Sequence, residues 1–351
     1  MTCTKDGPIA SLQLGHWFKL ICGASYQSLP TVRNLALAYA IAGADCIDVA
    51  ADEAVVAAAK EGLAVAEKLA YSYRGYAHPY RNPLLMVSMS AGEDPHFRKA
   101  WFDPKVCPAD CPRPCEQVCP TAAIEESGVI RELCYGCGRC LPVCPLGLIE
   151  AQQVPTTVDA IAQSVLTQVD ALEIHTQVGG EADFAELWNS ILPQVSCLQL
   201  ISISCPEAEG LIEYLEVLQR MTDLSSHPHL PTLVWQTDGR PMSGDIGKGT
   251  THAAVRLAQK VLNSELDGYV QLAGGTNKYT VLKLRELGLL PFSNRDTTQS
   301  RTVSGIAYGS YARRLLMPVL EQTYYLEEVP QALQKAVTLA ESIVRPLKYG
   351  P

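Results

Sequence analysis

The sequence predicts an α/β protein of the TIM-like (β/α)8 barrel class, interrupted after its third strand by a cysteine-rich insertion. Two observations carry that reading. Eight short apolar runs alternate with amphipathic helical stretches over about 300 residues, which is the size and rhythm of such a barrel. Eight of the 13 cysteines fall between residues 107 and 144, so the insertion is chemically distinct from the chain around it. An open doubly wound α/β sheet has the same alternation and is the alternative, because periodicity alone cannot close a barrel.

The strand candidates are FKLICGAS (18–25), DCIDVAA (45–51), PLLMVSMS (83–90), DALEIHT (170–176), CLQLISISC (197–205), PTLVWQTD (231–238), DGYVQLAGG (267–275) and VSGIAYGS (303–310). Each is a short apolar run ending in small or polar residues, as expected of strands covered on both faces. Between them, Leu29–Ala42 has Pro30 in its first turn and stops at Gly43. Asp52–Ala70 starts on an Asp cap. Glu181–Leu192, Glu207–Met221 and Thr250–Leu262 follow the same helical pattern. The chain then divides into a first part of the barrel (1–94), the insertion (95–152) and the remainder of the barrel (153–351).

Composition sets outer limits. Of 351 residues, 47 % are hydrophobic and 19 % charged, enough for a sizeable core. The formal charge of −9 and the lack of any basic block argue against nucleic-acid binding. The first residues have no apolar core of a secretory signal. The longest apolar run, Leu35–Ala44, is far short of the roughly 20 residues of a membrane helix. A cytoplasmic protein with no membrane span is expected. The clustering of the cysteines is unlike a secreted disulfide framework.

Within the insertion, CYGCGRCLPVCP (134–145) places Cys134, Cys137, Cys140 and Cys144 in the frame C-x2-C-x2-C-x3-C-P. That is the bacterial ferredoxin run for a [4Fe–4S] cluster, whose fourth cysteine serves the other cluster. Gly136 and Gly138 let the backbone pass close to inorganic sulfide. The earlier stretch CPADCPRPCEQVCP (107–120) carries Cys107, Cys111, Cys115 and Cys119 at a step of four. Its interspersed prolines oppose a helical stripe of sulfurs and favour a looping backbone whose thiols converge. CPTAAI and CPLGLI align as C-P-x-x-x-I, an internal repeat, with AIEESGVI between them as a hairpin.

The crossed rule assigns Cys107, Cys111, Cys115 and Cys144 to one cluster and Cys119, Cys134, Cys137 and Cys140 to a second. A ferredoxin-like module with two Fe–S clusters follows. At least one is [4Fe–4S]. The looser first quartet leaves its cluster as [4Fe–4S] or [3Fe–4S]. Two structural zinc sites are the alternative for eight thiolates.

In a barrel, the loops at the strand C-termini form the functional face, and the insertion begins just after such an end. Late strands end in AGGTN and AYGSYARR, so Gly274, Gly275 and Gly309 with Arg313 are candidates to hold a phosphate or a flavin. Ordinary turns would use the same glycines. GDIGKGT (244–250) lacks the complete Walker A frame and reads as a solvated loop. His175, Asp238 and Tyr26 are candidates to face the mouth. Cys205 is either a reactive thiol or a small buried apolar residue.

The order of these parts, together with VWQTDGRPMSGDIGKGTTHAAV near the C-terminal third, resembles the cyanobacterial light-dependent period family over essentially the whole chain. The resemblance implies an iron–sulfur redox sensor on the input to the circadian clock. It implies association with clock input and core proteins, including the input histidine kinase, and adds no catalytic residue. Quinone or ferredoxin would link it to photosynthetic electron flow. The competing class is a barrel oxidoreductase, with or without flavin, fed through the clusters.

Overall fold

The computed structural model describes residues 7–74, 80–153, 164–222, 231–240, 247, 249–291 and 301–349. Its strands in chain order begin with β1 (Trp17–Ile21), β2 (Cys46–Ala50) and β3 (Leu84–Ser90). The insertion holds β4 (Arg98–Trp101), β5 (Ile124–Glu125), β6 (Gly128–Val129) and β7 (Glu150–Gln153). Then follow β8 (Ala171–His175), β9 (Leu200–Pro206), β10 (Thr232–Asp238), β11 (Tyr269–Ala273) and β12 (Gly305–Tyr308). Eight of them form a closed parallel barrel in the order β1-β12-β11-β10-β9-β8-β3-β2. The pairing of β1 with β12 closes the ring, which excludes the open sheet.

Alternation along each strand explains the two faces. Outward residues such as Phe18, Leu20, Ile47, Val49, Leu172, Ile174 and Ile203 pack under the helices in one continuous core. Inward residues at the N-terminal ends, among them Trp17, Cys46, Leu84, Ala171, Leu200 and Val234, make a small apolar layer with Leu12 of the helix Pro8–Gln13.

One turn further up, the interior becomes polar. Lys19 is fully buried and pairs with Glu173, and its Nζ lies 3.1 Å from Asp48. Gln236 accepts from Lys19 at 3.2 Å and donates to Glu173 at 2.7 Å. Ser202 donates to Glu173 at 2.9 Å, and Ser88 to Asp48 at 2.8 Å. Burial opposes the charge on Lys19, but Asp48 and Glu173 outweigh it and raise its pKa. Burial also works against the Glu173 carboxylate, yet Lys19 and His175 hold it low. Asp48 shares the same lysine at longer range, so burial prevails there and its pKa rises.

The helices follow the sequence closely. Leu29–Ala42 ends on Gly43 in the left-handed region (φ 100°). Asp52 caps the helix Glu53–Arg74 by accepting from the amides of Ala54 and Val55 at 2.9 and 3.0 Å. The helix after β9 begins at Leu211 rather than Glu207, because Gly210 (φ 73°) turns the chain first. The link after the insertion, residues 154–163, lies outside the described residues. Among the described residues no helix is long and apolar enough to cross a membrane.

The insertion leaves from the C-terminal end of β3. Its ends meet where β4 and β7 pair antiparallel, Arg98 with Gln153 through Trp101 with Glu150. The expected hairpin is present, with Ile124 opposite Val129 and Glu125 opposite Gly128.

Lys19→Met is expected to lower unfolding stability in urea by about 3–5 kcal/mol, since it leaves buried Asp48 without its cation and buried Glu173 with His175 alone. Adding Asp48→Asn and Glu173→Gln should recover part of that loss. No recovery would locate the cost in packing rather than charge.

Candidate metal centre and barrel mouth

The eight clustered cysteines fall into two groups. Cys107 is within hydrogen-bonding reach of Cys111 and feels the charge of Cys144, which also acts on Cys115. Cys137 feels Cys119 and Cys134, and Cys140 feels Cys137, Cys134 and Cys119. The last cysteine of each sequence quartet thus sits with the other quartet's first three. Burial first, and then the neighbouring sulfurs, push the Cys140 thiol up to about 12.

The repeat seen in the sequence has a conformational counterpart. In CPTAAI, Ala122 adopts the left-handed region (φ 49°), and in CPLGLI Gly147 does the same (φ 63°). The following amides then donate to sulfur, Ala123 to Cys119 at 3.2 Å and Leu148 to Cys144 at 3.3 Å. A third amide, of Ala100 on β4, donates to Cys134 at 3.3 Å. Burial works against a Cys144 thiolate, but the amides of Leu148, Leu146, Ile149 and Gly147 hold its pKa below the usual value. Such bonds stabilise thiolate and tune the potential of an iron–sulfur cluster.

The longer spacing of the first quartet is absorbed locally. Arg113, between Cys111 and Cys115, takes φ 48° and precedes the one-turn helix Pro114–Val118. Gly136 and Gly138 (both φ 71°) make the equivalent bends in the second quartet without a Cβ penalty.

Cys119, Cys134, Cys137 and Cys140 line one cavity of about 200 Å³. Ala123 and Ile124 add apolar wall, while Lys99 and Arg139 bring positive charge. Lys99 is almost wholly buried and donates to Gln27 at 2.8 Å and to the Arg131 carbonyl at 2.6 Å. Four soft sulfur donors around one space, with apolar cover and amides aimed at sulfur, fit an Fe–S cluster.

The expected mouth residues Gly274, Gly275, Gly309, Arg313, His175 and Asp238 line a second, small cavity of about 70 Å³ at the C-terminal end of the barrel. Arg313 already donates to the Ile21 carbonyl at 2.8 Å and to Ser310 at 3.1 Å, and lies over the Tyr135 ring at 4.6 Å. Gly274 is required by close approach, since a Cβ there would fall 1.8 Å from Asp238 Oδ1. Tyr26 is buried and meets Tyr135 edge-on with centroids 6.0 Å apart. Cys205 is buried, and burial pushes its thiol up to about 12, which fits the small apolar role. Most of GDIGKGT lies outside the described residues.

Sequence reasoning missed Tyr135. It sits between Cys134 and Gly136 and touches both cavities, so it joins the second sulfur group to the mouth. It also missed Lys19, Asp48, Asp94, His96, Lys99 and Glu173. A charged residue in the middle of an apolar strand run, as in WFKLI, CIDVA and ALEIH, was the available signal for three of them.

Together these features define a (β/α)8-barrel protein with an iron–sulfur insertion at the C-terminal face of the barrel. Residues 107–155 match the LdpA Fe-S cluster-binding domain, and residues 165–346 match the Light dependent period A C-terminal domain. A protein of Synechococcus elongatus named Light dependent period A is 55 % identical over 348 residues, covering 98 % of this chain and 94 % of the relative. The chain belongs to the light dependent period A family.

Cys119→Ser is expected to disturb the same EPR signal as Cys137→Ser, whereas Cys144→Ser disturbs the signal lost in Cys111→Ser. Pairing of Cys119 with Cys111 instead would refute the crossed grouping.

Proposed function

We propose that this protein is an iron–sulfur redox sensor that couples the state of photosynthetic electron transport to circadian clock input. Cys119, Cys134, Cys137 and Cys140 hold a [4Fe–4S] cluster in a ferredoxin-like module. Cys107, Cys111, Cys115 and Cys144 hold a second cluster, [4Fe–4S] or [3Fe–4S] because of the longer first-quartet spacing. The protein works in the cytoplasm, where thiols stay reduced. The observation that carries the reading is the four-cysteine cavity with amide-to-sulfur bonds, in a chain whose relative is named for a light-dependent period.

A cluster changes its charge by one electron. For sensing, that charge must favour one partner-binding surface over another. Val118, Pro120, Pro142 and Val143 of the module line a wide groove with Met317 and Pro318 of the helix Ser310–Leu320. Cys119 reaches the same groove. An electron carrier, quinone or ferredoxin, would meet the module there, and clock input and core proteins, including the input histidine kinase, would read the result.

Electron relay to a ligand bound in the barrel is the second reading, favoured by Tyr135 touching both cavities. Gly274, Gly275, Gly309 and Arg313 would then bind phosphate more readily than flavin. Their cavity of about 70 Å³ is small beside the roughly 300–1,000 Å³ of ordinary cofactor pockets. A yellow cofactor released on denaturation would favour this reading over sensing.

The sensing reading is tested by partner capture from extract with oxidised and with reduced protein. Binding should change with redox state and lose that dependence in Cys137→Ser. Dependence that persists without the cluster would sink the proposal. Lys99→Met should lower the midpoint potential of the second cluster, because a buried cation there favours the more negative reduced state. A drop of about 59 mV corresponds to tenfold in the one-electron equilibrium. An unchanged potential would show that Lys99 serves only to seat the module.

A further inference from the structure

We propose that the barrel mouth holds a site for a divalent first-row transition metal, built from Asp94, His96 and His175 and separate from the cysteine groups. One ligand atom from each of these residues lies within 4.8 Å of the other two. Two imidazoles and one carboxylate form the donor set that suits iron(II), manganese(II) or zinc(II).

The three residues come from different parts of the chain. Asp94 and His96 lie on the segment that leads from β3 into the insertion, and His175 ends β8. Asp94 Oδ1 accepts from the His96 amide at 2.7 Å and sits 2.8 Å from His96 Nδ1. Asp94 Oδ2 lies 3.6 Å from His175 Nδ1, too long for a hydrogen bond. That gap is close to the roughly 3.3 Å that separates two ligands on a tetrahedral ion with bonds of about 2.0–2.1 Å.

The supporting groups are those a metal site uses. His175 Nε2 lies 3.0 Å from Oε1 of Glu173, a fully buried carboxylate. A carboxylate on the remote nitrogen orients a histidine ligand and makes it a better donor. Independently, the Asp238 side chain enters the same mouth from the end of β10 and is only 9 % exposed. Its Oδ2 stands 3.8 Å from His96 Nε2, and its Oδ1, which lies against Gly274, has no hydrogen-bond partner among the described residues. A buried carboxylate that lacks a partner is costly, and a cation held by the neighbouring imidazole, reached through Oδ2 directly or by water, would offset its charge.

The test uses full-length, anaerobically prepared protein with its clusters loaded, so that the cysteines are occupied. Mn²⁺ is titrated first, read by loss of the free-ion EPR signal, and then Co²⁺, read by calorimetry. One saturable site per chain is expected. Asp94→Asn and His96→Gln should each weaken it at least tenfold, with cluster absorption unchanged. Asp238→Asn should weaken it less. Thermal unfolding of the wild type should shift upward with saturating metal. Absence of a saturable site for both ions in the wild-type protein would overturn the proposal, leaving a cluster held by protons alone. Equal binding by Asp94→Asn and the wild type would overturn it as well.

Discussion

The position of one buried ammonium organises the interior of this barrel. Lys19 projects from β1 into the fully buried interior and can stay charged only because Glu173 and Asp48 reach it from two other strands. Those carboxylates need the lysine in turn, since an uncompensated buried charge costs several kcal/mol. Gln236 and Ser202 donate to Glu173, and Ser88 donates to Asp48. The set fixes the relative heights of six strands. It also places Glu173 where its other oxygen meets His175, so the geometry of the mouth rests on the layer beneath it.

Polar and aromatic contacts seat the insertion on that mouth. Lys99 on β4 ties the Arg131 carbonyl of the second-quartet loop to Gln27 after β1, and the Gln27 amide donates to the Glu132 carbonyl at 3.2 Å. Arg313 beneath Tyr135 fixes the opposite side. Each contact involves the loop that carries the second cysteine group or lies beside it. Cys134 lies close enough to act on Lys99, and Cys137 on Tyr135. Lys99, Tyr135 and Arg313 join the insertion to the barrel, which is the arrangement a sensor or a relay requires.

Much of the architecture was legible in the chain. Buried parallel strands need continuous apolar runs, and helices need caps and stops, so the eight runs and landmarks such as Gly43 and Asp52 marked the elements closely. The cysteine spacing was equally direct, because a cluster dictates which backbone lengths can wrap it. The start of the helix at Leu211 was less legible, since Glu207 is a good helix former and only the left-handed turn at Gly210 delays it. Arg113 and Ala122 gave no warning of their left-handed conformations, which glycine would have signalled.

The sequence by itself determined the alternation of strands and helices, the place of the insertion and the eight clustered thiols. These are local properties, set by side-chain period, turn chemistry and ligand spacing. Closure of the barrel, the Lys19 layer, the meeting of Asp94 and His96 with His175, and the place of Tyr135 between two cavities were decided only by the tertiary structure. They depend on the stagger of the strands and on where a long insertion folds back, and residues 154 positions apart, such as Lys19 and Glu173, carry no mark in the chain of the partner they will meet.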